Sequence, residues 1–217
     1  MHDLLKQSRC IVFDLDGTLV DSMQGFNELA SEIINKYFAV DKQTASQMYR
    51  DTSGIPFRYQ IQKLFGDHDM AATAVDEFEF SKLNDSRSTT FFEDVPKGLR
   101  DLGDLGYNLC VSSNNHHENV ETVVEPVKEN FSLILGYKDN FLKGKQHFDF
   151  IQKELNISTE QMLFVGDSLH DAQKSYELKI PFIARLGTFS AEDFDELKIP
   201  MLKIDNLNML IDHFKEV

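Results

Sequence analysis

Two aspartates separated by a single residue follow a short apolar run near the start of the chain. Asp14 and Asp16 come directly after the run that ends at Phe13, and Gly17 follows them. Two carboxylates so close repel each other, and each raises the free energy needed to ionise the other. A bound cation would offset that repulsion. The pair therefore predicts a cation site where an apolar strand ends.

A second acidic segment lies far downstream and has the same form. Asp167 and Asp171 follow the apolar run 162–165. Asp14 and Asp167 can share a hard cation if the two runs end at the same place, and Mg²⁺ suits one or two carboxylates together with a substrate phosphate. The predicted cation is therefore Mg²⁺.

The same side chains are suited to phosphoryl transfer. A carboxylate such as Asp14 can act as a nucleophile and form an aspartyl-phosphate. Asp16 can protonate the leaving oxygen and then activate water. Hydroxyl and amine donors would hold the phosphoryl oxygens, and Ser113 and Lys145 are the candidates. Strand counting prefers Ser113, and Ser112 remains the alternative for the same role.

The apolar pattern predicts the elements that must position these residues. Residues 8–15 have the pattern of a buried strand, whereas residues 22–86 have helical periodicity with a break at Gly54. From about residue 90 strands and helices alternate, which is typical of a parallel sheet. The predicted strands are 107–112, 132–136, 162–166 and 181–186, and the predicted helices are 96–104, 116–129, 145–156 and 169–179.

Four polar side chains follow predicted strands directly. They are Asp14, Ser113, Asn114 and Asp167. In a doubly wound parallel sheet the ligand crevice lies beyond the carboxyl ends of the strands. These side chains are therefore expected on one edge of one sheet. The helical segment leaves from that edge, so it can act as a lid.

Composition narrows the classes of partner. The chain has 217 residues, of which 36 are acidic and 22 are Lys or Arg, for a net charge of -14. Nucleic acids and anionic membranes both favour basic surfaces, so neither is an expected partner. Cys10 and Cys110 lie in apolar runs, and the first nine residues lack a signal-peptide core. We therefore expect a cytoplasmic protein with two buried thiols.

Four short segments in this order resemble the motifs of the haloacid dehalogenase superfamily. They are DLDGTLVDS at 14–22, SSN at 112–114, KGK at 143–145 and GDSLHD at 166–171. The resemblance implies an α/β fold, with a doubly wound, Rossmann-like parallel core and a small all-α cap inserted after the first strand. The implied domains are residues 1–20 of the core, the cap at 21–87, and the rest of the core at 88–217.

The resemblance also implies a role for individual residues. Asp14 would be the nucleophile and Asp16 the general acid and base. Ser113 would contact the phosphoryl group, and Lys145 would orient it. The implied Mg²⁺ ligands are Asp14, the backbone carbonyl of Asp16, and Asp167, with Asp171 as a ligand or beside the ligands. One departure is Gln146, because a proline usually follows the lysine of the third motif.

Details of the motifs favour one subgroup. Dehalogenases of this superfamily lack the second aspartate, so Asp16 favours phosphoryl transfer. Sugar phosphomutases typically carry Glu-Asp in the fourth motif, where this chain has Gly166-Asp167. The sequence is thus more similar to the phosphoglycolate-phosphatase-like hydrolases. The alternatives are a phosphomutase resembling β-phosphoglucomutase, a non-catalytic phosphate- or metal-binding relative, and an esterase with Ser168 as its nucleophile.

The expected substrate is a small phosphorylated metabolite, bound by a monomer or a homodimer. Thr18 and Asn114 are the candidate substrate contacts in the core. Gly54 and Arg58 are the candidates in the cap, where a surface role for the arginine is the alternative. The substrate class follows from the motifs, whereas the particular metabolite depends on cap side chains whose positions the sequence does not define.

Overall fold

The computed structural model describes residues 2–84 and 90–215. The chain divides into two compact units, one formed by Met1–Val20 with Phe91–Val217 and the other by Asp21–Thr90. We call the first the core unit and the second the helical unit. The predicted boundary between residues 87 and 88 lies outside the described residues.

The core unit contains a six-stranded parallel sheet. Its strands are β1 (Cys10–Phe13), β2 (Asn108–His116), β3 (Leu133–Tyr137), β4 (Met162–Gly166), β5 (Phe182–Arg185) and β6 (Leu202–Ile204), in the order β3-β2-β1-β4-β5-β6. All five strand pairs are parallel. The strand order reverses at β1, which lies between β2 and β4, and such a reversal opens a crevice at the carboxyl ends of the strands.

Within residues 2–20 and 91–215 of the core unit, seven helices accompany the sheet: α1 (His2–Gln7), α6 (Val95–Asp104), α7 (His117–Val124), α8 (Lys145–Leu155), α9 (Leu169–Glu177), α10 (Ala191–Glu196) and α11 (Leu207–Lys215). Side chains alternate across a strand. Ile11 and Phe13 accordingly belong to a buried cluster with residues of α6, α7 and α11. Val12 belongs to a second cluster with residues of α8, α9 and α10. Helices thus cover both faces, and the predicted doubly wound α/β fold is confirmed.

In the part of the helical unit that the structure describes there are four helices, α2 (Met23–Phe38), α3 (Lys42–Asp51), α4 (Phe57–Phe65) and α5 (Ala71–Asn84). Their apolar faces form a separate buried cluster in which Phe57 and Phe78 stack with ring centroids 4.0 Å apart. Pro56 directly precedes α4, a position where its missing N–H group costs no helical hydrogen bond. Gly54, at φ 95°, lies in the turn between α3 and α4.

Several predicted bounds differ from the structure. The predicted helix 116–129 is α7 followed by a 3₁₀ turn, Glu125–Asn130, because Pro126 interrupts the α-helical hydrogen bonding. Strand β2 continues to His116 rather than ending at residue 112, with an irregularity in its pairing to β3. A capping box between Ser158 and Gln161 begins the 3₁₀ turn Thr159–Gln161 that precedes β4.

The predicted thiols are both fully buried and free, with their Sγ atoms 3.6 Å apart. Among the described residues, no helix is both long enough and apolar enough to cross a membrane.

Candidate active site

The first acidic segment is a tight loop that follows the central strand. The Asp14 amide donates to the Val165 carbonyl at 2.9 Å, which continues the pairing of β1 with β4. The amides of Leu19 and Val20 both donate to the Leu15 carbonyl, at 2.8 and 2.9 Å. Gly17 has φ 71°, a conformation that favours glycine. The loop thereby holds Asp14 at the carboxyl end of β1, where it is buried.

The acidic side chains of the two predicted segments meet at one place in the core unit. Ligand oxygens of Asp14, Asp167 and Asp171 all lie within 4.8 Å of one another, and all three residues are buried. We call these residues the carboxylate cluster. Asp167 follows β4, and Asp171 lies in the first turn of α9, whose N-cap Ser168 accepts from the Asp171 amide at 3.0 Å. Two strand ends and one helix start therefore converge on a single point.

A lysine lies within the carboxylate cluster. Lys143 Nζ is 2.9 Å from Asp14 Oδ2 and 2.7 Å from Asp171 Oδ1. The side chain is 7% exposed, and its ammonium group lies 5.5 Å from the ring centroid of Phe164. Lys143 is therefore the cation that partly neutralises the cluster.

The predicted placement of Lys145 in the site is corrected by this geometry. Lys145 begins α8, its side chain is 70% exposed, and its ammonium group pairs with Asp149 at 2.6 Å. Gly144, between the two lysines, has φ 105°, which turns the chain sharply before the helix starts. Lys143 and Lys145 consequently have different environments. Both lysines belong to the KGK segment at 143–145. The sequence did not reveal the turn at Gly144, which determines which of the two lysines lies in the site.

Burial and mutual repulsion shift the pKa values of the side chains in the carboxylate cluster. Burial raises the pKa of Asp14 well above its ordinary value despite the Lys143 charge, and the neighbouring carboxylates of Asp171 and Asp167 act in the same direction. Burial also raises the pKa of Asp167 to about 7, although the Thr188 hydroxyl opposes the shift. For Lys143 burial alone would lower the pKa, but Asp14 and Asp171 outweigh it and raise the pKa.

The carboxylate cluster fits a divalent cation. Three buried carboxylates accompanied by one buried ammonium group leave two negative charges uncompensated when all are ionised. Oxygen ligands of this kind suit Mg²⁺. Asp14, Asp167 and Asp171 are the residues whose side chains could hold it.

The second motif forms an irregular end to β2. Ser112 is fully buried, and its Oγ lies 2.9 Å from Nδ1 of His147 on α8. Ser113 Oγ instead accepts from the Asn115 amide at 3.1 Å. Ser112 thus contacts the buried face of α8, whereas Ser113 lies in the segment that leaves the strand. This arrangement supports Ser113 as the candidate of the pair, and its contact with a phosphoryl group stays a prediction, as does that of Asn114.

Two contacts of the site were not anticipated from the sequence. Asn115 Nδ2 donates to Asp16 Oδ2 at 2.8 Å, and the Thr188 hydroxyl donates to Asp167 Oδ2. Neither Asn115 nor Thr188 belongs to one of the four motifs. Asn115 directly follows the second motif, so its position was a usable signal. Thr188 lies beyond β5 and had none.

The remaining predicted substrate contacts occupy both units. Thr18 is fully buried in the core unit, and its hydroxyl has no hydrogen-bond partner among the described residues. Arg58 belongs to α4 and lines a cavity of about 240 Å³ in the helical unit, together with Asp67 and Asp76. The roles of Thr18, Gly54 and Arg58 in substrate binding stay predictions.

Comparisons with known proteins agree with the fold and the motifs. A model of the haloacid dehalogenase-like hydrolase family matches residues 11–185. The phosphoglycolate phosphatase of Salmonella typhimurium is 27% identical over 240 residues, covering 96% of this chain and 93% of the relative. The pyrophosphatase PpaX of Bacillus mycoides is 24% identical over 211 residues, covering 93% of this chain and 94% of the relative.

Among solved structures, a haloacid dehalogenase-like hydrolase from Streptococcus pneumoniae has a TM-score of 0.79 and 18% identity, covering 96% of this chain and 99% of the other. At that identity the likeness concerns the fold. The family match extends from β1 to β5 and includes all four motif segments. The resemblance found in the sequence is thus confirmed: this chain belongs to the haloacid dehalogenase-like hydrolase family.

Proposed function

We propose that this protein is a Mg²⁺-dependent phosphatase that hydrolyses a small phosphorylated metabolite through an aspartyl-phosphate on Asp14. The observation that carries the proposal is the buried carboxylate cluster with Lys143 inside it. When all four groups are ionised they carry two uncompensated negative charges, and a divalent cation would neutralise them. Relatives that are named phosphoglycolate phosphatase and pyrophosphatase support the same class of substrate.

In the first half-reaction an Asp14 carboxylate oxygen attacks phosphorus, and the bond from phosphorus to the leaving oxygen breaks. Asp16 donates its proton to that leaving oxygen. Lys143 keeps positive charge beside Asp14 while the anionic phosphoryl group approaches. Mg²⁺, when bound, would lower the repulsion between the nucleophile and the phosphoryl oxygens.

In the second half-reaction Asp16, now ionised, takes a proton from water. The resulting hydroxide attacks phosphorus, the bond between phosphorus and the Asp14 oxygen breaks, and inorganic phosphate leaves. Ser113 and Asn114 would donate to phosphoryl oxygens in both steps, a role that their location at the irregular end of β2 supports. Asp16 regains its starting proton by the end of the cycle.

The test is phosphate release from a panel with and without Mg²⁺. Phosphoglycolate and pyrophosphate come first because relatives are named for them. Sugar phosphates, nucleotides and p-nitrophenyl phosphate complete the panel. We expect release that EDTA abolishes and that Asp14→Asn abolishes, whereas Asp149→Asn, an exposed carboxylate paired with Lys145, retains it. The proposal would be contradicted if no member of the panel released phosphate.

A phosphomutase is the second candidate with related chemistry. It would return the phosphoryl group to a sugar instead of to water. Measuring free phosphate and sugar phosphate isomers in the same incubation separates the two, because a mutase changes the isomer ratio without releasing phosphate. We expect phosphate release.

A further inference from the structure

We propose that Asn115 is a positioning residue that holds the Asp16 carboxyl group for proton transfer, and that Gly136 fixes Asn115. The proposal rests on the proposed function, because it assigns a partner to the group that is to move the proton. The contact is direct: Asn115 Nδ2 donates to Asp16 Oδ2 at 2.8 Å.

Asn115 reaches Asp16 because β2 ends irregularly. Ser112 pairs with Leu135 and His116 with Tyr137, so three residues of β2 lie opposite a single residue of β3. Such an extra length of chain re-aims side chains at the end of a strand. The backbone of Asn115 is fixed because its N–H group donates to Ser113 Oγ at 3.1 Å. The bulge therefore sets the direction of the Asn115 side chain.

The single residue opposite the bulge is Gly136. A Cβ atom there would lie 2.5 Å from the Cα of His117 and 2.8 Å from the Asn115 carbonyl oxygen. Both are backbone atoms, so a side chain at Gly136 would displace the segment that carries Asn115. The position of the Asn115 side chain thus depends on the absence of a side chain at Gly136 on the neighbouring strand.

The hydrogen bond from Asn115 matters for catalysis because it would orient the carboxyl group that donates the proton. Asp16 stands on a loop, and a carboxyl group on a loop can rotate away from a leaving oxygen. A general acid acts only within hydrogen-bond reach of the atom that it protonates, and small misplacements greatly reduce the rate. Asn115 holds Asp16 Oδ2 through this hydrogen bond, so we expect its effect on the reaction to pass through Asp16.

The experiment compares two phosphate esters that differ in their need for a proton. p-Nitrophenolate leaves without protonation, whereas phenolate benefits from a general acid. The kcat/KM of each ester reports the first half-reaction. In Asn115→Leu we expect kcat/KM to fall about tenfold or more for phenyl phosphate and no more than about threefold for p-nitrophenyl phosphate, a partial loss of the general-acid contribution.

Two further variants test the chain of contacts. Asn115→Gln retains the amide and should recover part of the loss with phenyl phosphate. Gly136→Ala leaves Asp16 and Asn115 in the sequence and should give the same selective loss. Its matched control is Gly103→Ala on α6, where a Cβ meets nothing within 4 Å and no change is expected.

An equal fall for the two esters in Asn115→Leu would overturn the proposal, because a general loss of structure or of binding does not depend on the leaving group. Wild-type rates in that variant would overturn it as well. A Gly136→Ala protein that matches Gly103→Ala in both rates would remove the role of Gly136.

A measurement that does not need turnover separates this proposal from the proposed function. In ¹⁵N-labelled protein the side-chain amide signals of Asn115 are assigned by their loss in Asn115→Leu. We expect them to shift in Asp16→Ala, and unchanged signals would contradict the contact. If the Asn115 signals shift in Asp16→Ala but the wild type hydrolyses no phosphate ester, the contact is established and the phosphatase function is contradicted.

Discussion

Lys143 and Lys145 stand two positions apart and contact different partners. Lys143 bridges Asp14 and Asp171 in a buried site, whereas Lys145 forms an exposed pair with Asp149. A buried cation beside a reacting group contributes much more than an exposed ion pair, because solvent screens the latter. The two lysines therefore form a matched pair for mutagenesis.

We expect Lys143→Met to lower kcat by about a hundredfold or more, in the range seen when one donor to developing charge is removed. Lys145→Met should change kcat little. Steady-state kinetics with the best substrate of the panel measures both. Loss of activity in Lys145→Met with retention in Lys143→Met would restore the assignment made from the sequence.

His147 is a second buried residue whose state the structure defines. Burial, followed by the charge of Lys143, lowers its pKa from 6.5 to about 4. The folded protein therefore keeps His147 neutral, while the unfolded chain takes up a proton below about pH 6.5. Since the unfolded state then binds more protons, stability falls as pH decreases from 6.5 towards 4.

This linkage predicts a pH-dependent difference between the wild type and His147→Gln. Per pH unit, the His147 contribution to the loss of unfolding free energy is at most about 1.4 kcal/mol. Urea unfolding at pH 7.5 and pH 5 should therefore show a larger loss of stability for the wild type than for the variant. Equal losses in the two proteins would contradict a neutral, buried His147.

At the scale of elements, Arg185 at the end of β5 joins three parts of the core unit. It donates to both carboxylate oxygens of Asp94 at 2.8 Å, and Asp94 also accepts from the amide of Leu207, the first residue of α11. Burial would raise the pKa of Asp94, but these hydrogen bonds outweigh it and lower the pKa. Asp94 itself directly precedes α6.

We expect Arg185→Met to lower the free energy of unfolding by about 3 kcal/mol or more, because it leaves a largely buried carboxylate without its cation. Lys128→Met, which removes an exposed pair with Glu125, should cost at most about 1 kcal/mol. Denaturant unfolding measures both, and equal losses in the two variants would be inconsistent with this assignment.

Sequence patterns predicted those elements that are long or strongly periodic. The helical periodicity predicted α2, and the apolar runs of β1 and β4 were sufficient to place Asp14 and Asp167 at strand ends. Strand β6, with three residues, is too short to show a period, so it was not predicted from the sequence. The bulge of β2 was missed because it depends on pairing with Gly136, which is distant in the sequence.

At the scale of the whole chain, the four motif segments are far apart in sequence and meet because β1 lies between β2 and β4. Order and spacing were enough to predict the family and the carboxylate cluster. They were not enough to choose between two lysines, since that choice depends on the backbone conformation of Gly144.

The central claim is that Asp14 becomes phosphorylated during turnover. The most direct measurement is intact-protein mass spectrometry after rapid acid quenching of a reaction with Mg²⁺ and p-nitrophenyl phosphate. We expect the wild type to gain the mass of one phosphoryl group, and we expect peptide mapping to locate that group on Asp14. The Asp14→Asn variant should gain no mass and release no phosphate. Phosphate release that persists in Asp14→Asn would contradict the account.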